Sequence, residues 1–282
     1  MRRETPSADD VRTRPFGSMS WVACVSVVAA GLLAVSIPDA AAAAGSAADR
    51  IQPHRAVYEA KLLRTSSNSE VIGVEGRMAF EWRNDCEGWG VDQIYLLNFS
   101  YASGVGVDIR SSYNTWEAKD GSRYTAKVDR DRAGEKEVFS VEASDGEARF
   151  RGDREEVFTL PIGTMFPTAH TLALLDRAES GPRFLSVNVF DGSEVETASL
   201  ISAVVGKSQT SPPPITNAAV TQSYWPMQLA FFKADQTESV PDFEMRIDLQ
   251  LNGVARELVI DYGDFTVAMK LKELELLSGG GC

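Results

Sequence analysis

The stretch Phe243-Glu-Met-Arg-Ile-Asp-Leu-Gln-Leu-Asn-Gly253 decides the fold class. Its odd positions from Phe243 to Leu251 are apolar, and the even positions between them are polar. A period of two places the apolar side chains on one face of an extended strand. Asn252-Gly253 follows, the dipeptide that best suits a two-residue hairpin, because both central residues need a positive φ. The stretch therefore predicts a half-buried strand that turns into an antiparallel partner.

The chain after this turn continues the same pattern. Residues 254–262 form the predicted return strand, and after Gly263 a further strand alternates from Phe265 through Leu271. The apolar positions then shift to Leu274 and Leu276, so we predict a β-bulge near Lys272 and Glu273. The carboxyl third is therefore predicted to be an antiparallel meander.

Earlier segments repeat the alternation and the turn signals. Asp120-Gly121, Asp145-Gly146 and Asp191-Gly192 are hairpin-type dipeptides. Further strands are predicted at 54–62, 74–82, 93–101, 107–116, 123–128, 136–142, 183–190 and 195–205. A set of about a dozen strands exceeds what one flat sheet carries without curling. We therefore predict a mainly β, single-domain fold: a spiral or half-open barrel-like antiparallel sheet.

One short helix interrupts the strand series. Thr164 and Pro167-Thr168 indicate where it begins, Leu172 and Leu175 follow at helical spacing, and Gly181-Pro182 ends it. We expect this helix to plug the open side of the curved sheet. A proline-rich stretch at 208–217, with three consecutive prolines, is predicted to be a solvated surface loop.

The amino-terminal segment predicts export. Four arginines precede an uncharged run from Trp21 to Ile37, and an alanine tract from Ala40 to Ala44 follows. This order is typical of a secretory signal cleaved near Ala44, which makes residues 1–44 a signal peptide and 45–282 the mature domain. A single membrane anchor is the alternative, although no basic stop-transfer cluster follows. The prediction is a periplasmic protein, peripheral to a membrane at most.

Cysteine count supports an oxidising compartment. Cys24 leaves with the signal, so Cys86 and Cys282 remain as an even pair that we expect to form a disulfide. Two free thiols or a metal pair are the alternatives, but two cysteines without nearby histidines make a poor zinc site.

Charge and motif content exclude several function classes. Lys plus Arg number 28 against 40 Asp plus Glu, so the net charge of −12 argues against a nucleic-acid partner. The sequence holds two histidines, His54 and His170, and no nucleotide-binding or nucleophile motif. We therefore predict no enzyme, no cofactor and no metal. Carboxylate pairs such as Asp261 with Asp264, or Glu155 with Glu156, keep a glycan or lipid hydrolase as the alternative.

Aromatic residues suggest what a curved sheet of this size could hold. Such a sheet can enclose more volume than its own side chains fill, and an apolar cavity of that kind accepts an acyl chain. The candidate residues for an apolar lining or a partner surface are Trp89, Phe166, Pro167, His170, Trp225 and Phe231.

Four segments resemble the cell envelope integrity EipB family of exported periplasmic proteins. They are Cys86-Glu-Gly-Trp89, the run from Leu160 to Leu172, Val189-Phe-Asp-Gly192 and the final Cys282. The resemblance implies a β-spiral with a helix, related in shape to lipoprotein carriers, and a disulfide between positions matching Cys86 and Cys282. It implies a role in envelope maintenance without an established reaction or ligand. The expected partners are a lipid or lipoprotein acyl chain, or a periplasmic protein.

Overall fold

A long antiparallel sheet dominates the computed structural model, which describes residues 46–181, 183–233 and 240–278. The described residues belong to one compact unit. Their elements in chain order are α1 (Ala47–Arg50), β1 (His54–Thr65), β2 (Val71–Asn84), β3 (Gly88–Tyr101), β4 (Gly106–Ala118), β5 (Arg123–Arg132), β6 (Glu135–Ser144), β7 (Glu147–Arg151), β8 (Glu155–Thr159), α2 (Pro167–Ser180), β9 (Phe184–Val189), β10 (Ser199–Val205), β11 (Gln209–Thr210), β12 (Ser223–Phe232), β13 (Phe243–Leu249), β14 (Ala255–Asp261) and β15 (Phe265–Leu276).

The first and last strands of the chain, β1 and β15, are neighbours in the middle of the sheet. The strands follow β8-β7-β6-β5-β4-β3-β2-β1-β15-β14-β13-β12-β10-β9, and β11 pairs with β12 off this path. β8 and β9 are therefore the two sheet edges, although they are consecutive strands joined through α2. The mainly β, open antiparallel sheet predicted from the alternation is confirmed. The strand count is higher than predicted, and the four-residue helix α1 was not predicted.

The predicted bulge in the last strand is confirmed. Val57 of β1 pairs with Glu273, and the next residue, Tyr58, pairs with Leu271. Lys272 is therefore the extra residue, which bends β15 and moves its apolar positions from odd to even.

The turns agree with the prediction in part. Asp145 and Gly146 both have positive φ, 52° and 77°, and close a two-residue hairpin between β6 and β7. The two-residue hairpin predicted for Asn252-Gly253 was wrong in detail, since Gly253 has a positive φ of 84° but Asn252 does not. The amide of Gln250 donates to the carbonyl of Val254, so this hairpin has a three-residue loop. Asp191-Gly192 lies in the longer connection between β9 and β10.

The helix α2 begins at Pro167, directly after its N-cap Phe166, and Gly181 is its C-cap. Its Leu174, Leu175 and Ala178 are buried in the main core. Because the core-facing residues of β9 and β10 belong to the same cluster, the helix covers this edge of the sheet from inside.

Two apolar clusters fill the fold. The larger joins β1–β3, α2, β9, β10 and β12–β15, while the smaller lies on β5–β8. The smaller cluster is covered by Leu160, Phe166, Phe190 and Ala198 from the two connections that flank α2 and β9. Tyr124 fixes one of these connections by donating a hydrogen bond to the carbonyl of Asp191.

The proline-rich segment is mostly exposed, as expected of a surface loop, but it is also held against the sheet. Gln209 and Thr210 form β11. Buried Arg256 donates from Nη1 to the carbonyl of Gln222 at 2.9 Å and from Nη2 to the carbonyl of Pro212 at 2.6 Å. The guanidinium also lies 4.5 Å from the ring centre of Tyr224. Sequence patterning could not show that a charged residue of β14 would reach this segment.

Candidate functional site

The inner face of β3 is covered only in part. Its side chains alternate between solvent and the main core, and from Val91 onward the core-facing ones are half-buried, unlike most of those of β5 or β15. These half-buried residues are Val91, Gln93, Tyr95, Leu97, Phe99 and Tyr101. The open sheet therefore leaves an apolar inner surface in contact with solvent.

A row of aromatic rings extends this surface across the carboxyl-terminal strands. Phe231 stacks on Phe243 with ring centres 4.2 Å apart, and Tyr262 stacks on Phe265 at 4.9 Å. Phe243 lies 6.0 Å from Tyr262, which joins the two stacks. Phe265 meets Phe99 edge to face at 6.2 Å, although β1 and β2 separate their strands in the sheet. We call these five residues the aromatic row; its last contact crosses the interior of the curled sheet.

A cavity of about 110 Å³ lies between the first turn of α2 and the sheet, and we call it the helix cavity. Its sheet side is formed by Phe80, Trp82, Val91, Gln93, Tyr113 and Thr115. Its helix side is formed by Pro167, Thr168 and Thr171. None of these lining residues is charged, and through Val91 and Gln93 the cavity is continuous with the inner face of β3.

Trp82 is held in the cavity wall by other rings. It packs edge-on against Phe80 at 6.4 Å and against Trp89 at 6.0 Å. His54 lies 6.4 Å away and is bound through Nδ1 to the carbonyl of Gln52. The indole Nε1 of Trp82 is buried and has no hydrogen-bond partner among the described residues. An unpaired buried N–H costs about 1–3 kcal/mol, so this donor calls for an explanation.

Glu117 of β4 is buried beside the cavity. Its carboxylate accepts hydrogen bonds from the backbone amides of Thr168 at 2.7 Å and Ala169 at 2.8 Å. Burial raises the pKa of Glu117, and the two amides oppose that rise. Because this carboxylate takes up the free N–H groups of α2, the start of the helix has no spare amides for an anion.

His170 is also buried in this first turn. Burial lowers its pKa to about 4, and the positive charge of Arg177 acts in the same direction. Its Nε2 has no hydrogen-bond partner in the described part of the chain. The imidazole is therefore neutral at physiological pH.

The structure separates the lining residues suggested by the sequence. Pro167 lines the helix cavity, and Phe231 belongs to the aromatic row. Trp225 is half-buried against the main core. Trp89 is buried behind Trp82, and Phe166 is stacked on Tyr124 at 5.0 Å in the smaller cluster.

Other residues of the inner surface were missed by sequence reasoning. Phe243 and Phe265 were assigned to strands but not to the lining, and Glu117 was not singled out at all. Strand alternation could have found the aromatic residues, because both lie on the apolar face. Nothing in the sequence signals that Glu117 meets α2, fifty-one residues further along the chain.

The carboxylates considered for hydrolysis lie in ion pairs or polar contacts. Asp261 pairs with Arg64 at 2.8 Å, and Asp264 accepts from the hydroxyl of Ser69 at 2.9 Å. Glu155 pairs with Arg149, whose hydrogen bond lowers the pKa of Glu155. A general acid needs a raised pKa, so Glu155 lacks this property. No group of three metal-ligating side chains occurs among the described residues.

The described helices are too short or too polar to cross a membrane. The signal peptide and its alternative, a membrane anchor, fall on residues 1–44, outside the described residues. Cys282 is outside them as well, so its pairing with Cys86 stays a prediction.

Comparison with known proteins agrees with this architecture. The sequence profile of the EipB-like family matches residues 45–278. The chain belongs to the EipB-like family. It is 32% identical over 257 residues to the cell envelope integrity protein EipB of Brucella abortus (strain 2308), covering 86% of this chain and 90% of that protein.

A solved structure supports the fold of this EipB-like chain. It is the crystal structure of a β-barrel-like protein of a domain of unknown function from Brucella abortus. The TM-score is 0.74 at 27% sequence identity, over 81% of this chain and 99% of the other. The resemblance carried by Cys86–Trp89 and by the run from Leu160 to Leu172 is therefore confirmed.

Proposed function

We propose that this EipB-like protein is an exported, non-enzymatic periplasmic protein that maintains cell envelope integrity by holding an apolar ligand against its inner sheet surface. The half-exposed aromatic row carries the proposal. A soluble domain of net charge −12 has no packing reason to leave stacked aromatic rings open to water on the concave side of its sheet.

Two further observations support the cellular role. The relative from Brucella abortus is named for cell envelope integrity. The uncharged run from Trp21 to Ile37, with the alanines that follow, is typical of a signal for export. The ligand is a lipid or a lipoprotein acyl chain, because the wall that would contact it is aromatic and aliphatic.

Native mass spectrometry of the mature protein, purified from the envelope of a host that exports it, tests the proposal. We expect an adduct with the mass of a lipid that survives washing. The double variant Phe243→Ser with Tyr262→Ser should lose most of the adduct, because it removes the centre of the aromatic row. Ile94→Ser is the matched control, since Ile94 is 46% exposed on the opposite face of β3.

The result would contradict the proposal if the folded wild-type protein carries no adduct in repeated preparations. A protein partner recovered with the bare wild type would then replace the lipid as the ligand of the envelope role. An adduct that persists in the double variant but disappears in Ile94→Ser would move the binding surface to the outer face.

A further inference from the structure

We infer that the apolar ligand held by the aromatic row carries a positive charge at its polar end, and that a group of carboxylates beside the row recognises this charge. The inference rests on the proposed function and adds the chemical class of the ligand, an acyl chain joined to a short cationic head group. The hydrocarbon chain lies along the stacked rings, and the ammonium group lies beside Glu196 and Asp242.

A group of acidic residues lies at one end of the aromatic row, and we call it the acidic rim. Its members are Asp191, Glu194 and Glu196 of the connection between β9 and β10, and Asp242 directly before β13. The backbone amide of Asp242 donates to the carbonyl of Phe231 at 2.8 Å. Leu200, near the start of β10, pairs with Phe232, so the connection that precedes β10 reaches the same end of the sheet.

The charges of the rim act on one another and on the inner surface of the sheet. Burial raises the pKa of Glu196, and the negative charges of the other rim residues raise it further. Burial also raises the pKa of Tyr95 on the inner face of β3, with further contributions from Tyr262 and Asp191. Because charge effects weaken with distance, the rim lies close to both the aromatic row and β3.

The carboxylate of Glu196 lacks a counter-ion. It is half-buried, and within the described ranges it has neither a hydrogen bond nor an ion pair, although the positive charge of Lys233 acts on its pKa. Glu81, which is half-buried on the outer face of β2, is by contrast paired with Arg55 and Arg83. A half-buried carboxylate among like charges is costly, and a cation from outside the chain would relieve that cost.

The arginines near the row are already engaged. Arg130 pairs with Glu194 at 2.8 Å, and Arg64 pairs with Asp261 at 2.8 Å. A ligand that ends in an anion would therefore meet the rim without a free guanidinium to bind it, and a neutral ligand would leave Glu196 uncompensated. A cationic head group is attracted by the carboxylates of the rim.

The rings beside the rim favour the same charge. Phe231 and Phe243 are stacked and half-buried, and Tyr262 beyond them is 45% exposed. The face of an aromatic ring attracts an ammonium group as well as covering a hydrocarbon chain. Rings and carboxylates together therefore suit an ammonium group attached to an acyl chain.

The test is isothermal titration calorimetry of the mature, oxidised chain with probes that share one lauroyl amide. N-lauroyl-lysinamide is cationic, N-lauroylglycinamide is neutral and N-lauroylglycine is anionic, and each is used below its micelle concentration. A lauroyl lysophosphatidylethanolamine is added as a probe whose ammonium group lies beyond a phosphate. It separates a phospholipid source from an acylated amine without a phosphate.

We expect the cationic probe to bind about fivefold more tightly than the neutral one at low ionic strength, and added salt to reduce the difference. Glu196→Gln combined with Asp242→Asn should remove most of this preference. The same variant should bind the neutral probe as the wild type does, which also shows that it is folded. Glu244→Gln is the matched control, because it removes one negative charge from the exposed, opposite face of β13 and should keep the preference.

The lysophosphatidylethanolamine titration identifies the source once the cationic preference is found. Binding as tight as that of the lysinamide, with the same dependence on the rim, supports the inference with a phospholipid as the ligand. Binding no tighter than that of the neutral probe supports it with an acylated amine as the ligand.

The inference is overturned if the cationic probe binds no more tightly than the neutral one, or if the rim variant keeps the preference. If Phe243→Ser with Tyr262→Ser still weakens binding of the neutral probe, the apolar ligand of the proposed function stands and only its charge is wrong. Tighter binding of the anionic probe would also overturn the inference. If no probe binds and native mass spectrometry finds no adduct, the proposed function fails together with the inference.

Discussion

Glu117 and Thr168 join the middle of the sheet to the start of its main helix. The carboxylate accepts the backbone amide of Thr168 at 2.7 Å, and its second oxygen accepts that of Ala169 at 2.8 Å. The N-cap residue, Phe166, has no side chain able to do this, so a residue of β4 caps α2 in its place. The start of the helix is therefore anchored to β4 through one buried carboxylate.

Glu117→Ala should destabilise the protein by about 1–3 kcal/mol, because two buried amides of α2 lose their acceptor. Glu117→Gln keeps one acceptor oxygen and should fall between Glu117→Ala and the wild type. Urea unfolding measures the free energies, and hydrogen exchange at Thr168 and Ala169 locates the effect. Exposed Glu135→Ala is the control, with a change within about 0.5 kcal/mol. Unchanged exchange at these two amides in Glu117→Ala would contradict the capping role.

Gly76→Ala should be among the most destabilising single substitutions in the sheet, by about 3 kcal/mol or more. Gly76 has φ of 154°, and a Cβ there would lie 2.1 Å from the carbonyl oxygen of Leu96. Gly104→Ala is matched to it, because Gly104 also has a positive φ, 83°, but nothing lies within 4 Å of its Cβ position. Gly104→Ala should cost about 1 kcal/mol. Equal unfolding free energies for the two variants would show that close strand approach has no effect.

Arg256→Ala should release the proline-rich segment and destabilise the protein by about 1–3 kcal/mol, since the part-buried carbonyls of Ser211, Pro212 and Gln222 lose a charged donor. Limited proteolysis should then cut within 208–217 faster than in the wild type. Arg256→Lys retains the charge but not the planar fork that reaches Gln222 and Pro212 together, so it should be cut at an intermediate rate. Cleavage at the wild-type rate in Arg256→Ala would show that the loop is held by its other contacts.

Local patterns in the sequence predict local features well. The odd-to-even shift after Leu271 locates the bulge at Lys272 within one residue, because a slipped register moves every apolar side chain to the other face. Asp145-Gly146 closes a hairpin as predicted, since both residues adopt the positive φ that the dipeptide favours. Asn252-Gly253 fails in detail because a register shift after Asp248 lengthens the loop.

Contacts between distant segments were beyond such reasoning. Arg256 and Glu117 are ordinary charged residues of strands in the sequence, and only the curvature of the sheet brings them to the loop and the helix that they hold. The same curvature brings Phe99 to Phe265 and so completes the aromatic row. Trp89 and Phe166 lie elsewhere, against Trp82 and Tyr124. The six lining candidates were chosen by residue type, and residue type does not give position inside a curled sheet.

His170 should make stability depend on pH below neutrality. Its pKa is 6.5 in an unfolded chain and about 4 in the fold, so the unfolded state binds more protons between these values. The contribution of this neutral imidazole to the stability of the folded protein is fully present above pH 6.5 and is lost as the pH falls towards 4. Between pH 7.5 and pH 5 the expected loss from this group is about 2 kcal/mol.

Urea unfolding of the wild type and of His170→Leu at both pH values isolates this contribution. His54 has a lowered pKa and acts in the same direction, whereas the raised pKa of Glu117 acts in the opposite one. Both groups remain in the variant, so the difference between the two proteins belongs to His170. An equal loss of stability in the two proteins would mean that the imidazole is protonated in the fold at pH 5.

Register at the centre of the sheet favours the Cys86–Cys282 bond. His54 pairs with Trp82 on one side and with Leu276 on the other, so the ends of β2 and β15 lie about 10 Å apart at the same end of the sheet. The amide of Leu277 donates to the carbonyl of Pro53 at 2.9 Å, which keeps the chain beside β1. The four residues that follow Ser278 can span about 13 Å, enough to reach the turn that contains Cys86.

The oxidised protein should therefore be two hydrogens lighter than its reduced form and should unfold at a higher urea concentration. Closing the loop between Cys86 and Cys282 stabilises the fold by about 5 kcal/mol at most, which is the full loss of chain entropy that the bond imposes on the unfolded state. Cys86→Ser, Cys282→Ser and the double variant should lose the same free energy, because each removes the same bond, and a reducing agent should remove the difference from the wild type. Additive losses in the double variant would show that the two cysteines act separately and that the carboxyl terminus is not tied to the β2–β3 turn.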